Sequence, residues 1–562
     1  MLQNVDLSED TPDNVEAGLV AWAPGTSSEV AGCRVKAEGK WITLNGKGRA
    51  TQAKIATIEK HSLNSKILLE KIAKIDAELA PLADFFLGGR GEVKLNTAGI
   101  DCALSKNITR KDVKMLRRCG LIKQHNAHYA LSNFKVPKKN PKEARLITDC
   151  RKINSLIMFC NNMKMNLPEL HCLMNWGIRY KRMWAMDANA YFFQFELKGP
   201  AEEWFPMRVQ KEDGSVESYV LTKLPMGLSL APILAQRASN VIMTEVQREI
   251  DRLNIDGKVA AWVDNFMMFA NSEEDLATMA GIMKRILAEV DIKCKEIDTT
   301  GEFLGLIKKE EGLGLNESFV TKVTQHIDEV QRQTNASKEQ LEVLAGELMW
   351  INYSVGRKPL ACFPHTIKLL RSIPTLTTDS AISKDLKDEL RIWAHILKST
   401  YKPTQPPMST SKTAWSDATT QKIAVVIGNT VVIAQANAPI KIALMEAIAA
   451  GWSYLLAGKN ANLHIDNQGV AYAFAKGHCA SPAINTVISN TFNIHEPTHY
   501  GSITWVPTAD QEADAATRDK LTFHDKIRTT GSQREAWKHI NSWILISNTK
   551  ENIGVSTCMS EK

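Results

Sequence analysis

Ten cysteines are spread over 562 residues with no C-x-x-C pair among them. Their scatter (33, 102, 119, 150, 160, 172, 294, 362, 479 and 558) argues against a zinc knuckle or a disulfide framework and fits a reducing compartment. Long apolar runs are also lacking. The most apolar region, residues 423–457, is interrupted by Gly428, Asn429, Asn437, Pro439 and Lys441, short of the roughly 18 residues that cross a bilayer. The opening stretch MLQNVDLSEDTPDN is acidic and has no apolar core of the kind a secretory signal needs. The expectation is an intracellular protein of cytoplasm, nucleus or both, without a membrane partner. No internal repeat is visible.

Apolar content of 44% and charged content of 23% describe an ordinary globular chain long enough for several domains. The net charge of +7 is unevenly placed: residues 106–145 hold twelve Lys and Arg against Asp112 and Glu143. A solvated face is the plain explanation of such a run. Interleaving with Tyr129, Phe134 and Pro137 favours a polyanionic partner such as nucleic acid. Along the chain, residues 1–99 form an N-terminal region of no legible role, with a helix expected around KIATIEKHSLNSKILLEKIAKIDAEL (54–79). Residues 100–310 mix strands and helices, 311–400 are mostly helical, and 401–413 form a linker within the Pro-, Ser- and Thr-rich stretch 399–414. A second mixed domain is expected over 414–525, with a tail over 526–562.

Two short stretches carry chemistry in the first mixed domain. AAWVDNFMMFA (260–270) places Asp264 and Asn265 inside an apolar run, where an unpaired carboxylate costs several kcal/mol unless a cation or donor lies beside it. A tight hairpin turn and a metal ligand are both open explanations. RMWAMDANAYFFQFEL repeats the pattern with Asp187. Two strands that each deliver one carboxylate can hold divalent cations about 3.5–4 Å apart, the arrangement used for in-line displacement at phosphorus.

The surroundings of these stretches, FKVPKKNPKEARLITDCRKINSL upstream, LTKLPMGLSLAPILAQRASNVIM between and DIKCKEIDTTGEFLGLIKK downstream, complete an ordered set. With them, residues 130 to about 310 resemble the fingers and palm of a reverse transcriptase. Lys138, Arg145, Asp149, Arg151 and Asn154 match the fingers motif, whose lysine and arginine bind the incoming triphosphate. Asp187, Phe192 and Gln194 match the first palm motif, Phe192 standing at the aromatic position that excludes a ribose 2′-hydroxyl. Leu224 to Gln236, with Met226 and Gly227, match the template-and-nucleotide helix, and Lys293, Cys294 and Phe303–Gly305 match the later palm and primer grip. The resemblance implies that Asp187 and Asp264 are catalytic metal ligands. It also implies that Lys138, Arg145, Phe192, Met226, Gly227, Gln236 and Lys293 bind nucleotide. Trp262 and Asn265 depart from the family's tyrosine-x-Asp-Asp turn. An amide there keeps an oxygen but loses a charge, which weakens metal affinity or shifts metal preference.

In the second domain Asp417, Glu446, Asp466 and Asp514 are delivered by a strand, a helix, a strand end and a helix. This part resembles ribonuclease H, whose Asp-Glu-Asp-Asp set they match in order and context. The resemblance implies four carboxylates holding two magnesium ions that activate water against the RNA of a hybrid. The histidine loop common before the last Asp is missing: the chain reads VPTADQEAD, a form that resembles the hepadnaviral and tyrosine-recombinase retrotransposon types. His478 stands in the wrong context for that role. The expected fold is therefore α+β and multidomain: a right-hand polymerase with fingers, palm and thumb, then an α/β ribonuclease H-like domain. The implied protein is a retroelement reverse transcriptase resembling DIRS-like and VIPER-like elements. It would use Mg2+ or Mn2+, an RNA template, a DNA primer, an RNA–DNA hybrid and dNTPs, with any recombinase and nucleocapsid as separate proteins. The alternatives are a domesticated nucleic-acid-binding protein with an inert palm, and a chain in which only the ribonuclease H half works.

Overall fold

A computed structural model describes residues 53–518 together with Val555–Ser556, apart from 94, 106, 139–141, 158–162, 169, 356–357, 377–378, 400, 404–411, 429, 437–438, 459–460 and 495–502. The N-terminal region before residue 53, most of the expected linker and nearly all of the tail lie outside the described residues. What is described falls into two compact units divided after Phe319, each mixed α/β. Among the described residues no helix is long and apolar enough to cross a membrane.

The first unit opens with β1 (Lys54–Ile55), which runs parallel to a later strand, followed by α1 (Ser65–Ile75). The helix expected over 54–79 is thus present only from Ser65. Ile55 has the spacing of a helical core residue, but it is buried beside a strand instead, and Asn64 starts the helix by accepting from Ile67 N–H. Next come α2 (Arg110–Arg118), begun by a Thr109–Asp112 capping box, β2 (Ile122–Gln124), and the hairpin of β3 (Asn133–Pro137) and β4 (Glu143–Thr148). β1, β4 and β3 form one three-stranded sheet.

A second sheet is the framework of the site. β5 (Arg182–Asp187) pairs antiparallel with β9 (Asn265–Ala270), which pairs with β8 (Gly257–Trp262), while the intervening β6 (Pro206–Gln210) and β7 (Val216–Leu221) join β2 in a separate sheet. Central β9 reads NFMMFA and buries all five apolar side chains, as a strand covered on both faces must. Two helices that also pack on each other lie against this sheet. One is the 23-residue α3 (Leu230–Arg252), with Pro232 in its first turn, where a missing N–H costs little. The other is α4 (Glu273–Glu289), capped by Ser272 and acidic in its first turn, which suits the positive end of the helix. Arg237, 1% exposed, ties α3 to the end of α1 through Asp76 and Glu78.

The second unit begins with helices, among them α5 (Lys338–Ser354), α6 (Pro364–Ser372) and α7 (Lys384–Ser399). They precede a meander of β10 (Thr413–Ala418), β11 (Lys422–Ile427) and β12 (Thr430–Ala436). After α8 (Ile442–Ala457), β13 (Asn462–Ile465) lies parallel to β10, and after α9 (Gln468–Lys476) and α10 (Pro482–Ile494), β14 (Ile503–Trp505) lies parallel to β13. α11 (Asp514–Thr517) closes the described part of this unit apart from Val555–Ser556, which pairs with β12. Alternation splits the sheet. Ala414, Ala418, Leu463 and Ile465 join the large core with α8, α9 and α10, while Ala424 and Val426 pack against Ala513 and Ala516 on the other face.

Candidate functional site

The hairpin joining β8 to β9 has two turn residues, Val263 and Asp264, and register sets Asn265 opposite Asp187. Val263 is held at φ +55°, a left-handed conformation costly for a β-branched residue. Both of its backbone groups are occupied from α3: its N–H donates to Gln236 Oε1 (2.6 Å), and its C=O accepts from Ser239 Oγ (2.7 Å). Gln236 is fully buried and also donates to Ala261 O. The structure thus places Gln236 behind the turn, as the group that shapes it. Asp264 is brought to Asp187 through the backbone, Ala188 N–H donating to Asp264 O at 2.6 Å.

Asp187 itself accepts from Asn265 Nδ2 (2.7 Å) and from Lys295 Nζ (3.0 Å), while Asn265 Oδ1 is buried without a hydrogen-bond partner. Asp187, Asp264 and the amide oxygen of Asn265 are hard oxygen donors carried on neighbouring backbone positions, the type that a magnesium-type cation takes. Lys295 already offsets one charge, so the site is less anionic than one with three carboxylates.

Beside this turn lies a cavity of about 340 Å³. Lys138, Arg145, Phe192, Met226, Asp264 and Lys293 all line it, so six of the residues picked from the sequence converge there. Arg145 sits on β4, and Lys138 at the hairpin pairs with Glu143 at 3.3 Å. Phe192 is in a short 3-10 turn, Tyr191–Gln194, entered through Ala190 at φ +44°. Lys293 is positioned by Gln194, whose side chain accepts from Lys293 N–H (2.9 Å) and donates to Lys293 O (2.8 Å). Gly227 does not line the cavity; it shapes the turn that presents Met226. Thr148 N–H donates to Met226 O at 2.8 Å, and Asn154 donates to Gly227 O at 3.0 Å.

In the second unit Asp417, Glu446 and Asp466 offer carboxylate oxygens all within 4.8 Å of one another. β10 supplies the first, α8 the second, and the end of β13 the third. Burial, then the charges of Asp466 and Asp417, pushes the Glu446 carboxyl up to about 8. Burial also raises Asp417, against the hydroxyl of Thr517, and raises Asp466. Glu446 Oε2 and Asp466 Oδ1 are buried without hydrogen-bond partners. Such a cluster carries a standing electrostatic penalty that a divalent cation would relieve. Asp514 stands beside the trio rather than in it: its charge acts on Asp417 and Asp466, and its own carboxylate pairs with Arg518 at 2.7 Å. His478 lies apart, bonded to Tyr353 Oη.

Several residues of both sites escape sequence inspection. Thr517 donates to Asp417 Oδ2, and Gln511 bridges Ser416 O and His464 O, locking β10 to β13 behind the carboxylates. Nothing local distinguishes them from other polar residues. Lys295 had a signal, since it lies two residues from Lys293 in an extended stretch and so shares its side.

Residues 136–307 match the model of the reverse transcriptase (RNA-dependent DNA polymerase) family. Among solved structures, the chain is similar to the foamy viral protease-reverse transcriptase in complex with an RNA/DNA hybrid. The TM-score is 0.44 at 15% identity, over 94% of this chain and 67% of that one. It is similar also to the foamy viral protease-reverse transcriptase in complex with double-stranded DNA, with a TM-score of 0.41 at 16% identity over 79% and 96% of the two chains. No curated protein matches it. With the turn, its two aspartates and the cavity all inside or beside the matched span, residues 136–307 form a reverse transcriptase domain.

Proposed function

We propose that the chain is an RNA-directed DNA polymerase of a retroelement, in the style of the tyrosine-recombinase group (DIRS-like or VIPER-like), which also degrades the RNA of its product hybrid through Asp417, Glu446, Asp466 and Asp514. The observation that carries the polymerase half is the cavity that gathers Lys138, Arg145, Phe192 and Lys293 beside Asp264. Lys138 and Arg145 would hold the phosphates of a dNTP, the planar guanidinium suiting bidentate contact. Phe192 would close the space at the sugar's 2′ position, and Asp187 and Asp264 would hold the metals. Bound Mg2+ or Mn2+ would polarise the primer 3′-hydroxyl and stabilise the leaving oxygen. The trio, with Asp417 and Glu446 buried, Asp466 half-buried and two carboxylate oxygens orphaned, supports hybrid cleavage. The order polymerase then nuclease fits a task in which copied RNA must be removed.

Primer extension by the full chain on an RNA template with a DNA primer, in magnesium and in manganese, tests this beside Asp187→Ala. Extension that disappears in the variant supports the polymerase. No extension in either metal, from protein that still cuts hybrid RNA, favours the nuclease-only alternative, which the Asn265–Asp187 contact in place of a second carboxylate makes specific. In an active polymerase, Asn265→Asp restores the missing charge. It is expected to lower the magnesium needed for half-maximal extension by about tenfold; an unchanged requirement would place Asn265 outside the ion's reach. Phe192→Val is expected to reduce discrimination against ribonucleotides by about a hundredfold, read from paired kcat/KM values for rNTP and dNTP.

A further inference from the structure

One wall of the same cavity comes from Ile55–His61, a stretch upstream of both the matched span and every motif in the sequence. It is fastened at both ends. At the start, Lys135 Nζ donates to Ala53 O (2.8 Å), Ile55 N–H to Asp112 Oδ1 (3.3 Å) and Ala56 N–H to Ala144 O (2.9 Å), next to Arg145. Lys135 and Asp112 are a buried ion pair 3.0 Å apart, so two charges that are costly to bury each hold the backbone of this arm. At the other end Lys223 Nζ donates to His61 O, Leu63 N–H to Gln194 O (3.0 Å) and Asn64 N–H to Val290 O (2.8 Å). Gln194 is the residue that clamps Lys293. The supports of Arg145 and Lys293 are therefore also the supports of the arm.

We propose that Ala56–Glu59 is a nucleotide-contacting wall that sets the fit of the incoming 2′-deoxynucleoside triphosphate, an assignment that rests on the nucleotide-binding role of the cavity. Its side chains are small or apolar at Ala56, Thr57 and Ile58, with one carboxylate at Glu59, facing a space whose cations are Lys138, Arg145, Lys293 and Lys295. A triphosphate drawn to the cations would then have its uncharged part packed against the arm. Fastening both ends keeps that surface in place before the ligand arrives, which reduces the ordering cost of binding.

The test is fluorescence titration of the full chain with a base-labelled 2′-deoxynucleoside triphosphate, comparing the unaltered chain with Thr57→Trp, which fills the wall, and Ala56→Pro, which removes the donor to Ala144 O. Thr57→Trp is expected to weaken binding about tenfold and Ala56→Pro several-fold, with an unchanged first-unit melting transition in Thr57→Trp as the check on folding. In the unaltered chain, saturating nucleotide is expected to slow tryptic cutting after Lys54 and Lys60 at least about fivefold. Equal affinity in Thr57→Trp together with unslowed cutting would overturn the arm's role while leaving nucleotide binding intact. Failure of the unaltered chain to bind would overturn both.

Discussion

Glu446→Gln is expected to stabilise the second unit in chelator while cutting hybrid cleavage by roughly a thousandfold or more. Both effects have one origin. The carboxyl's pKa rises from an ordinary 4.5 to about 8 because burial, Asp466 and Asp417 disfavour its charge. Between those values the folded chain binds a proton that the unfolded chain has released, so stability is fullest below pH 4.5 and declines as pH rises through 8. Each tenfold change in proton affinity is worth about 1.4 kcal/mol, so the decline amounts to a few kcal/mol, less whatever the neighbouring carboxylates share. Glutamine cannot ionise, yet keeps an oxygen for Ala418 N–H, the bond that Glu446 Oε1 makes at 3.3 Å. Thermal unfolding in EDTA at pH 5.5 and 8.5 is expected to show a falling second-unit transition for the unaltered chain and a flatter one for the variant. A variant that melts lower at pH 8.5 would mean that Glu446 is structural. One that keeps cleaving would remove it from the site.

Gly227→Ala is expected to abolish primer extension, or reduce it at least about a hundredfold, and to destabilise the first unit by about 3 kcal/mol. Gly227 has φ +126°, and a Cβ built there would stand 1.9 Å from Thr148 O. Backbone is the obstacle, so no rotamer change relieves it. Thr148 cannot retreat without losing its own N–H bond to Met226 O, and Asn154 holds Gly227 O from the other side. Strain would therefore pass into the turn that presents Met226 to the cavity and into β4, which carries Arg145. Extension assays and melting of the purified variant measure both effects, and hybrid cleavage should persist. Wild-type extension by the variant would show that the turn can relax without disturbing the cavity.

Much of the polymerase constellation was legible because its chemistry is local. Asp187 and Asp264 each interrupt an apolar run of the sequence, and a carboxylate there demands an explanation. The wall of the cavity at Ile55–His61 was illegible for the opposite reason: Ile55 and Ile58 fit a helical stripe, and only the pairing of Lys54 and Ile55 with β4 makes the start of the segment a strand. Gln236 shows the same limit. As a polar residue on the expected nucleotide helix it read as a ligand contact, whereas its burial gives its amide to the turn of Val263 and Ala261.

By itself the sequence determined the mixed α/β character of both halves, the apolar strands and the lone acidic residues within them, because periodicity and the cost of a buried charge act within a few neighbouring residues. Tertiary structure alone decided which carboxylates meet. It drew Asp417, Glu446 and Asp466 together and left Asp514 beside them on Arg518, and it set Asn265 against Asp187. It also brought an unassigned N-terminal stretch to the cavity. Such meetings depend on strand register and helix packing between residues far apart in the chain, and no local pattern records them.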